Sequence, residues 1–367
     1  MSRNYNIFAE KADDQTLRQF HSAMDQPFVV KGALLPDAHV GYSLPIGAVV
    51  ATEGVILPAW VGYDIGCGMC AVKTPMTVDE IMPLREKIFQ SIYRAVPTGF
   101  AHNKRPEQWN HEHIPMTPAL KKIFGRDGLC QLGSLGGGNH FIELSYDEEK
   151  HLWVVVHSGS RNVGHSVATH YMKLASGSEK AKEGHYGFDT KSGEGRDYIT
   201  DMKFCQEFAL ENRKKIIERV LREIYYYAKP GDAPEQLEFI NRNHNHAEEK
   251  DGLWIHRKGA TQAEEGMAGV IPGNMRDGSF VVEGKGNPKS LNSSSHGAGR
   301  ALSRNQAKAK LTMDDFRRQL EGITAKVAQS TLDEAPAAYK DIFEIMRLQA
   351  DMVTVKHHLI PVVNIKG

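Results

Sequence analysis

An α+β fold, built as a single domain over residues 1–367 with a central β-sheet core and helical insertions, is what this sequence predicts. Two observations carry that reading. Short β-rich runs sit between glycine-rich turns instead of alternating regularly with helices, which disfavours a doubly wound sheet. No repeat of about 20–50 residues, low-complexity tract or shift of composition marks a linker. Length alone does not decide the matter, since 367 residues exceed the usual ~100–200 per domain.

The elements follow in chain order. Residues 46–51 form the first apolar β-rich run. Thr77-x-x-Glu80 reads as a capping box that opens a helix whose apolar positions Ile81, Leu84, Ile88 and Ile92 recur at helical spacing. Residues 153–157 give a second strand. A long helix is expected over 200–228, carrying Phe204, Phe208, Ile217, Leu221 and Ile224 and stopping before Pro230-Gly231. Its other face, with Arg213, Lys214, Lys215 and Arg219, reads as solvated surface. Residues 280–283 and 359–365 complete the strands.

Hydrophobic residues make up 41% and charged residues 25%, which excludes a disordered chain. Lys plus Arg and Asp plus Glu both number 45, so no global basic field draws in nucleic acid, and any such contact must come from a local patch. No apolar run approaches the ~20 residues that span a bilayer, and Met1 to Lys11 lack the layout of a signal peptide. A cytoplasmic protein with no membrane role is expected. Four cysteines, at 67, 70, 130 and 205, do not suggest a disulfide framework in such a chain. The Cys67-x-x-Cys70 pair reads as a redox pair, half a zinc site or coincidence.

The 17 histidines and 34 glycines gather in patches near 36–70, 133–143, 157–165, 244–261 and 284–300. Polar, loop-borne patches dispersed through a chain suggest one composite site. In Gly62-Tyr63-Asp64-Ile65-Gly66-Cys67-Gly68 a carboxylate and a thiol lie three residues apart in a glycine-flanked turn. His140 stands beside Asn139 and Glu143, His157 ends an apolar strand, and Asn243-His244-Asn245-His246 adds two imidazoles. Any one of these histidines is more often structural than a ligand. Together, one Asp, one Cys and three His could serve two close divalent ions with the thiolate bridging, an O, N, S set that suits Mn, Fe, Co or Zn. No G-x-x-x-x-G-K-[ST] occurs, so this is not a P-loop nucleotidase. Arg161, Arg257, Lys258, Arg300 and Arg304 are suited to oxyanions. His296, among small residues with Arg300 four along, could be a ligand, a base or a covalent nucleophile.

Pro36-Asp-Ala-His-Val-Gly-Tyr, Gly62-Tyr-Asp-Ile-Gly-Cys-Gly, Gly136-Gly-Gly-Asn-His-Phe-Ile-Glu, Val156-His-Ser-Gly-Ser-Arg, His256-Arg-Lys-Gly-Ala-Thr and His296-Gly-Ala-Gly-Arg resemble, in order, the signature blocks of the RtcB RNA ligases. The likeness runs from about residue 31 to 367. It implies an RtcB-like fold and a GTP-dependent enzyme that joins an RNA 3′-phosphate or 2′,3′-cyclic phosphate end to a 5′-hydroxyl end. It further implies two Mn²⁺ ions bridged by Cys67, with Asp64 and His140 on one and His157 and His244 on the other. His296 would take GMP from GTP, with Asp37 holding its other ring nitrogen. Tyr339 would stack on guanine, Glu143 and Lys366 would contact its edge, and Asn139, Arg161, Lys258, Arg300 and Arg304 would hold phosphates.

The implied course has three steps: GMP transfer to His296, transfer on to the RNA 3′-phosphate, and displacement of GMP by the 5′-hydroxyl. An archease-like activator is a further implied partner. The length and the polar run after His244 suggest a compact paralogue, with repair of cut RNA or tRNA processing as its task. The competing expectation is a binuclear metal phosphoesterase acting on cyclic phosphates. It would use the same cluster but gives His296, Tyr339 and Lys366 no task.

Overall fold

The computed structural model describes residues 4–125 and 127–367. A five-stranded sheet runs in the order Tyr5–Ile7, Val29–His39, Ile46–Thr52, Leu253–Lys258, Asn245–Lys250. The larger, eight-stranded sheet runs Ala268–Pro272, Ser279–Gly284, Val353–Lys366, Phe141–Tyr146, His151–Ser158, Gly68–Thr77, Glu238–Asn243, with Thr324–Ala325 beside Val353–Lys366. Neighbours are antiparallel except where Tyr5–Ile7 and Thr324–Ala325 join their partners. This is the α+β arrangement the glycine-rich turns predict.

Both faces of the large sheet are covered, which explains why Val154-Val155-Val156 is an unbroken apolar run. Along Gly68–Thr77, side chains alternate. Cys70 and Val72 join Ile216, Ile217, Val220 and Ile224 of the helix Gly193–Ala228, while Met69 and Ala71 meet Phe141, Trp153, Ile240, Val270 and Val281 on the opposite face. The second group draws on strands from both ends of the sheet, so the sheet curls and packs its inner face on itself.

The helices obey their sequence signals, with two differences. The Thr77 capping box is formed, Thr77 N donating to Glu80 Oε2 at 2.6 Å. Pro83, which has no N–H, then breaks the run into Val78–Ile81, a 3₁₀ turn at Met82–Leu84 and the helix Arg85–Ala95. The long helix begins at Gly193, where the Ser192 side chain caps it, and ends ahead of Pro230. No helix among the described residues is long and apolar enough to cross a membrane.

The expected solvated face of the long helix is corrected. Arg213 is fully buried, because it lies one helical step, four residues, from both Ala209 and Ile217 on the apolar stripe. Its Nη1 donates to the carbonyls of Gly66 and Ser158, both at 2.9 Å, and its Nη2 and Nε donate to the side-chain oxygens of Asn243 and Asn241, both at 2.6 Å. Burial lowers its pKa to about 10, with Cys70, Cys67 and Asp64 opposing, so the guanidinium stays charged at neutral pH. Arg219 pairs with Glu107 and donates to Gly133 O at 2.8 Å, and Lys215 lies 3.6 Å from Glu218. Only Lys214 of the four is exposed.

Arg213→Met leaves those buried acceptors without a donor and is expected to cost about 3 kcal/mol or more in urea denaturation. A loss under about 1 kcal/mol would mean that water replaces the guanidinium.

Candidate metal and nucleotide site

Four adjacent antiparallel strands deliver the ligand-type side chains to one edge of the large sheet. Cys67 immediately precedes Gly68–Thr77, His140 precedes Phe141–Tyr146, His157 is next to last in His151–Ser158, and His244 follows Glu238–Asn243. Register then does the rest: Met69 and Phe141 both pair with His157, and Gly68 pairs with Asn243. Asp64 enters from the turn after the short helix Pro58–Val61.

Cys67 Sγ lies 3.2 Å from Nε2 of both His140 and His157, His157 Nε2 is 3.2 Å from His244 Nε2, and His140 Nε2 is 3.0 Å from Asp64 Oδ2. Two groups fit a metal ion, Asp64–Cys67–His140 and Cys67–His157–His244, and they share the thiol. His157 donates Nδ1–H to Asn139 O at 3.2 Å, which turns a lone pair on Nε2 into the cluster. Burial, reinforced by the neighbouring histidines, holds His157 and His244 well below the usual histidine range, so both present neutral imidazoles. Burial and the Asp64 charge push the Cys67 thiol well up, so a cation that takes this sulfur must displace its proton. Lone pairs crowded together in a dry site, with a thiol and a carboxylate, are a donor set that fits divalent cations.

The other candidates separate by strand alternation. Cys70 lies in the apolar core on the opposite face from Met69, so Cys67 and Cys70 do not form a pair. Arg257 is buried away from the cavity against Glu248, His246 and Ser293, whereas Lys258 faces the cavity. Burial takes Lys258 down to about 8 and His246 to about 3.

His296 follows the strand Ser293–Ser295, and its ring centroid lies 4.8 Å from that of His244. It donates Nδ1–H to Asp37 Oδ2 at 2.7 Å, and its backbone N–H reaches the same oxygen at 3.2 Å. Asp37, on Val29–His39, has no exposed surface; burial opposes its ionisation, but the bond and charge of His296 outweigh it and keep the carboxyl below its ordinary value. With Nδ1 bonded to Asp37, Nε2 of His296 is left without a protein partner among the described residues, and the residue lines a cavity of about 950 Å³ that also touches Asp64, Cys67, His157 and His244.

Asn139, Glu143, Tyr339, Lys366, Arg300 and Arg304 line the same cavity. Arg161 stands behind it, donating to Ser134 Oγ at 3.0 Å and to Gly99 O. Burial raises Glu143 to about 8, against hydrogen bonds from Ser279 (3.2 Å) and Asn364 (3.1 Å). Sequence reasoning missed Glu334. It accepts the Tyr339 hydroxyl and lies 2.7 Å from Arg304, 3.2 Å from Arg300 and 3.3 Å from Lys366. Burial works against its charge, yet Lys366, Arg304, Tyr339 and Arg300 together bring it to about 2. Nothing in its local spacing marks it.

A Cβ on Gly159 would lie 2.2 Å from Asp64 Oδ1. Gly159→Ala therefore displaces that carboxylate, and Mn²⁺ binding by calorimetric titration is expected to weaken about tenfold or more. Unchanged affinity would remove Asp64 from the ligand set.

The sequence pattern of the family described as tRNA-splicing ligase RtcB matches residues 19–126 and 116–367. The chain is 34% identical to the RNA-splicing ligase RtcB of Escherichia coli K12, over 95% of this chain and 93% of that protein. It is 30% identical to the tRNA-splicing ligase RtcB of Thermococcus kodakarensis, over 93% and 88%. Against RNA-splicing ligase RtcB2 of Escherichia coli ATCC 25922 the identity is 29%, over 98% and 96%. Both the match and its extent carry one conclusion: the chain belongs to the RtcB family.

Proposed function

We propose that this chain is an RNA ligase that joins RNA 3′-phosphate or 2′,3′-cyclic phosphate ends to 5′-hydroxyl ends through a GMP carried on His296. The observation that carries the reading is the placement of His296, which lines the cavity with its ring 4.8 Å from that of His244 and its Nδ1 bonded to Asp37. The names of the relatives, RNA-splicing and tRNA-splicing ligases, support the substrate class. A phosphoesterase would leave the His296–Asp37 pair without a task.

In this reading His296 Nε2 attacks the α-phosphorus of GTP, an N–P bond forms, and pyrophosphate leaves as the α–β P–O bond breaks. Asp37 keeps Nδ1 protonated and stabilises the charge that develops on the ring. The RNA 3′-phosphate, formed where the end is cyclic by water adding to phosphorus as the P–O2′ bond breaks, then attacks the same phosphorus and releases the histidine. Last, the 5′-hydroxyl attacks the activated 3′-phosphate and expels GMP. Asp64, Cys67, His140, His157 and His244 would hold two Mn²⁺ ions, which when bound supply Lewis-acid charge beside the phosphates.

Tyr339 stacks on guanine, Glu143 and Lys366 contact its edge, and Asn139, Arg300 and Arg304 hold phosphates from inside the cavity, with Lys258 and Arg161 nearer Asp64. All of residues 1–367 act as one ligase domain. We place the reaction in the cytoplasm, in RNA repair or tRNA processing, with an archease-like protein as candidate activator.

Incubation with Mn²⁺ and GTP radiolabelled on the α-phosphate, followed by denaturing electrophoresis, tests the covalent step. Wild type takes an acid-labile label and His296→Ala takes none; an unlabelled wild type that still hydrolyses cyclic phosphates would establish the phosphoesterase instead. Asp37→Asn keeps the shape but loses the charge, and its labelling rate is expected to fall about a hundredfold or more. A rate within threefold of wild type, measured as the same gel time course, would show that His296 needs no anionic partner.

A further inference from the structure

A second pocket, about 370 Å³ in volume, adjoins the metal cavity and takes no part in the reactions above. Gln15 and Tyr42 line both, so Tyr42 stands on the ridge between them. Its side chain is 70% exposed, and yet its loop is held firmly. Gln19, on the helix Asp14–Met24, donates to the carbonyls of Gly41 and Tyr42, each at 2.9 Å, and accepts the Gly41 N–H at 3.1 Å. A Cβ on Gly41 would lie 2.2 Å from Leu44 O, which shows how tightly the turn closes.

Beside Tyr42 the aromatic surface continues. Tyr63 meets it edge-on at 6.3 Å and is itself stacked on His165 at 5.0 Å and 20°. Arg18 lines the pocket, exposed, and nothing among the described residues pairs with its guanidinium. The one carboxylate in the lining, Glu183, is engaged by the Tyr63 hydroxyl.

We propose that this pocket is a subsite for one nucleotide of a single-stranded RNA end, its base stacked on Tyr42 and its phosphate at Arg18. A rigidly presented aromatic face next to an unpaired cation is the combination that holds single strands without reading their sequence. The volume lies at the small end of the ~300–1,000 Å³ range of ligand pockets, the scale of one nucleotide. Tyr42 is paired with Tyr63, whereas Tyr339 is held by Glu334, so the strand arm and the guanine arm are positioned by different residues. A strand held here runs directly into the cavity that contains His296. The proposal rests on the ligase reading for its purpose, but binding itself needs no catalysis.

Fluorescence anisotropy of a short dye-labelled oligoribonucleotide with a 3′-phosphate, titrated with the full chain, tests it. Tyr42→Ala and Arg18→Ala are each expected to bind about tenfold more weakly, the order of one lost base–aromatic stack or phosphate contact. Tyr42→Trp retains affinity, and Arg18→Ala lowers the salt dependence by about one phosphate contact. Melting curves of all variants stay within a few degrees of wild type, since both residues are exposed. Equal affinity of wild type and Tyr42→Ala overturns the proposal. GTP labelling of the wild type, run alongside, reports separately on the ligase reading: absence of label with Tyr42-dependent binding sinks that reading and keeps the subsite, and label with Tyr42-independent binding does the reverse.

Discussion

Arg213 donates to Gly66 O, Ser158 O and Asn243 Oδ1, and each of those residues is the immediate neighbour of Cys67, His157 or His244. One guanidinium thus holds three chain segments at the sheet edge in fixed relation. Backbone pairing alone sets the strands side by side, but the ligand-type residues lie at or just beyond the strand ends, where ladder bonds run out. There a planar fork of donors is well matched to several carbonyl and amide oxygens at once. A lysine in its place would offer one nitrogen to acceptors that lie on both sides of the fork.

The same guanidinium bears on the electrostatics. Cys67 is a buried acid and Asp64 a partly exposed one beside it, and where water is scarce the cost of such charge is met by opposite charge. Arg213 lies close enough to lower Cys67 and to be raised by both Cys67 and Asp64. It does not suffice, since burial keeps the thiol protonated. Burial opposes the charge of Asp64 but the hydrogen bond from His140 helps hold its carboxyl below the ordinary value, so the sulfur is the ligand that gains its charge only when a divalent cation displaces the proton.

How much of this was legible in the sequence follows from what each residue type can reveal alone. Asp64, Cys67, His140, His157 and His244 stood out because ligand-type side chains recur on glycine-rich turns, and the fold brings those turns to one edge. His296 stood out among small residues with Arg300 four along, its role open, whereas Asp37 and its pairing with His296 came only through the family resemblance, since 259 residues separate the two and no local pattern links them. Arg213 was misread because a cationic run resembles surface, although its spacing from Ala209 and Ile217 already put it on the apolar stripe. Arg257 and Lys258 were both taken for oxyanion binders, yet neighbours in a strand face opposite ways, so only one could enter the cavity. Cys67-x-x-Cys70 fails as a pair for the same reason. The long helix was found but the residues from Gly193 to Ile199, about two turns, were not, because Ser192, Gly193 and Gly195 read as loop until the cap is seen.

Glu334 illustrates what composition cannot convey. Arg300, Arg304 and Lys366 converge on one wall of the cavity, from exposed Arg304 to buried Lys366, and three cations so placed repel one another. Glu334 offsets that repulsion from within, holding a charge despite its burial, and the Tyr339 hydroxyl that donates to it fixes the ring at the same time. The consequence is that the cations are preorganised before any anion arrives: three positive side chains held on one carboxylate keep a net positive charge, and an entering phosphate finds it already assembled. Preorganisation of this kind lowers the reorganisation cost of binding charge in a dry site. It also ties the orientation of Tyr339 to the state of the cations, so that the aromatic wall of the cavity and its phosphate-facing wall are set by one carboxylate.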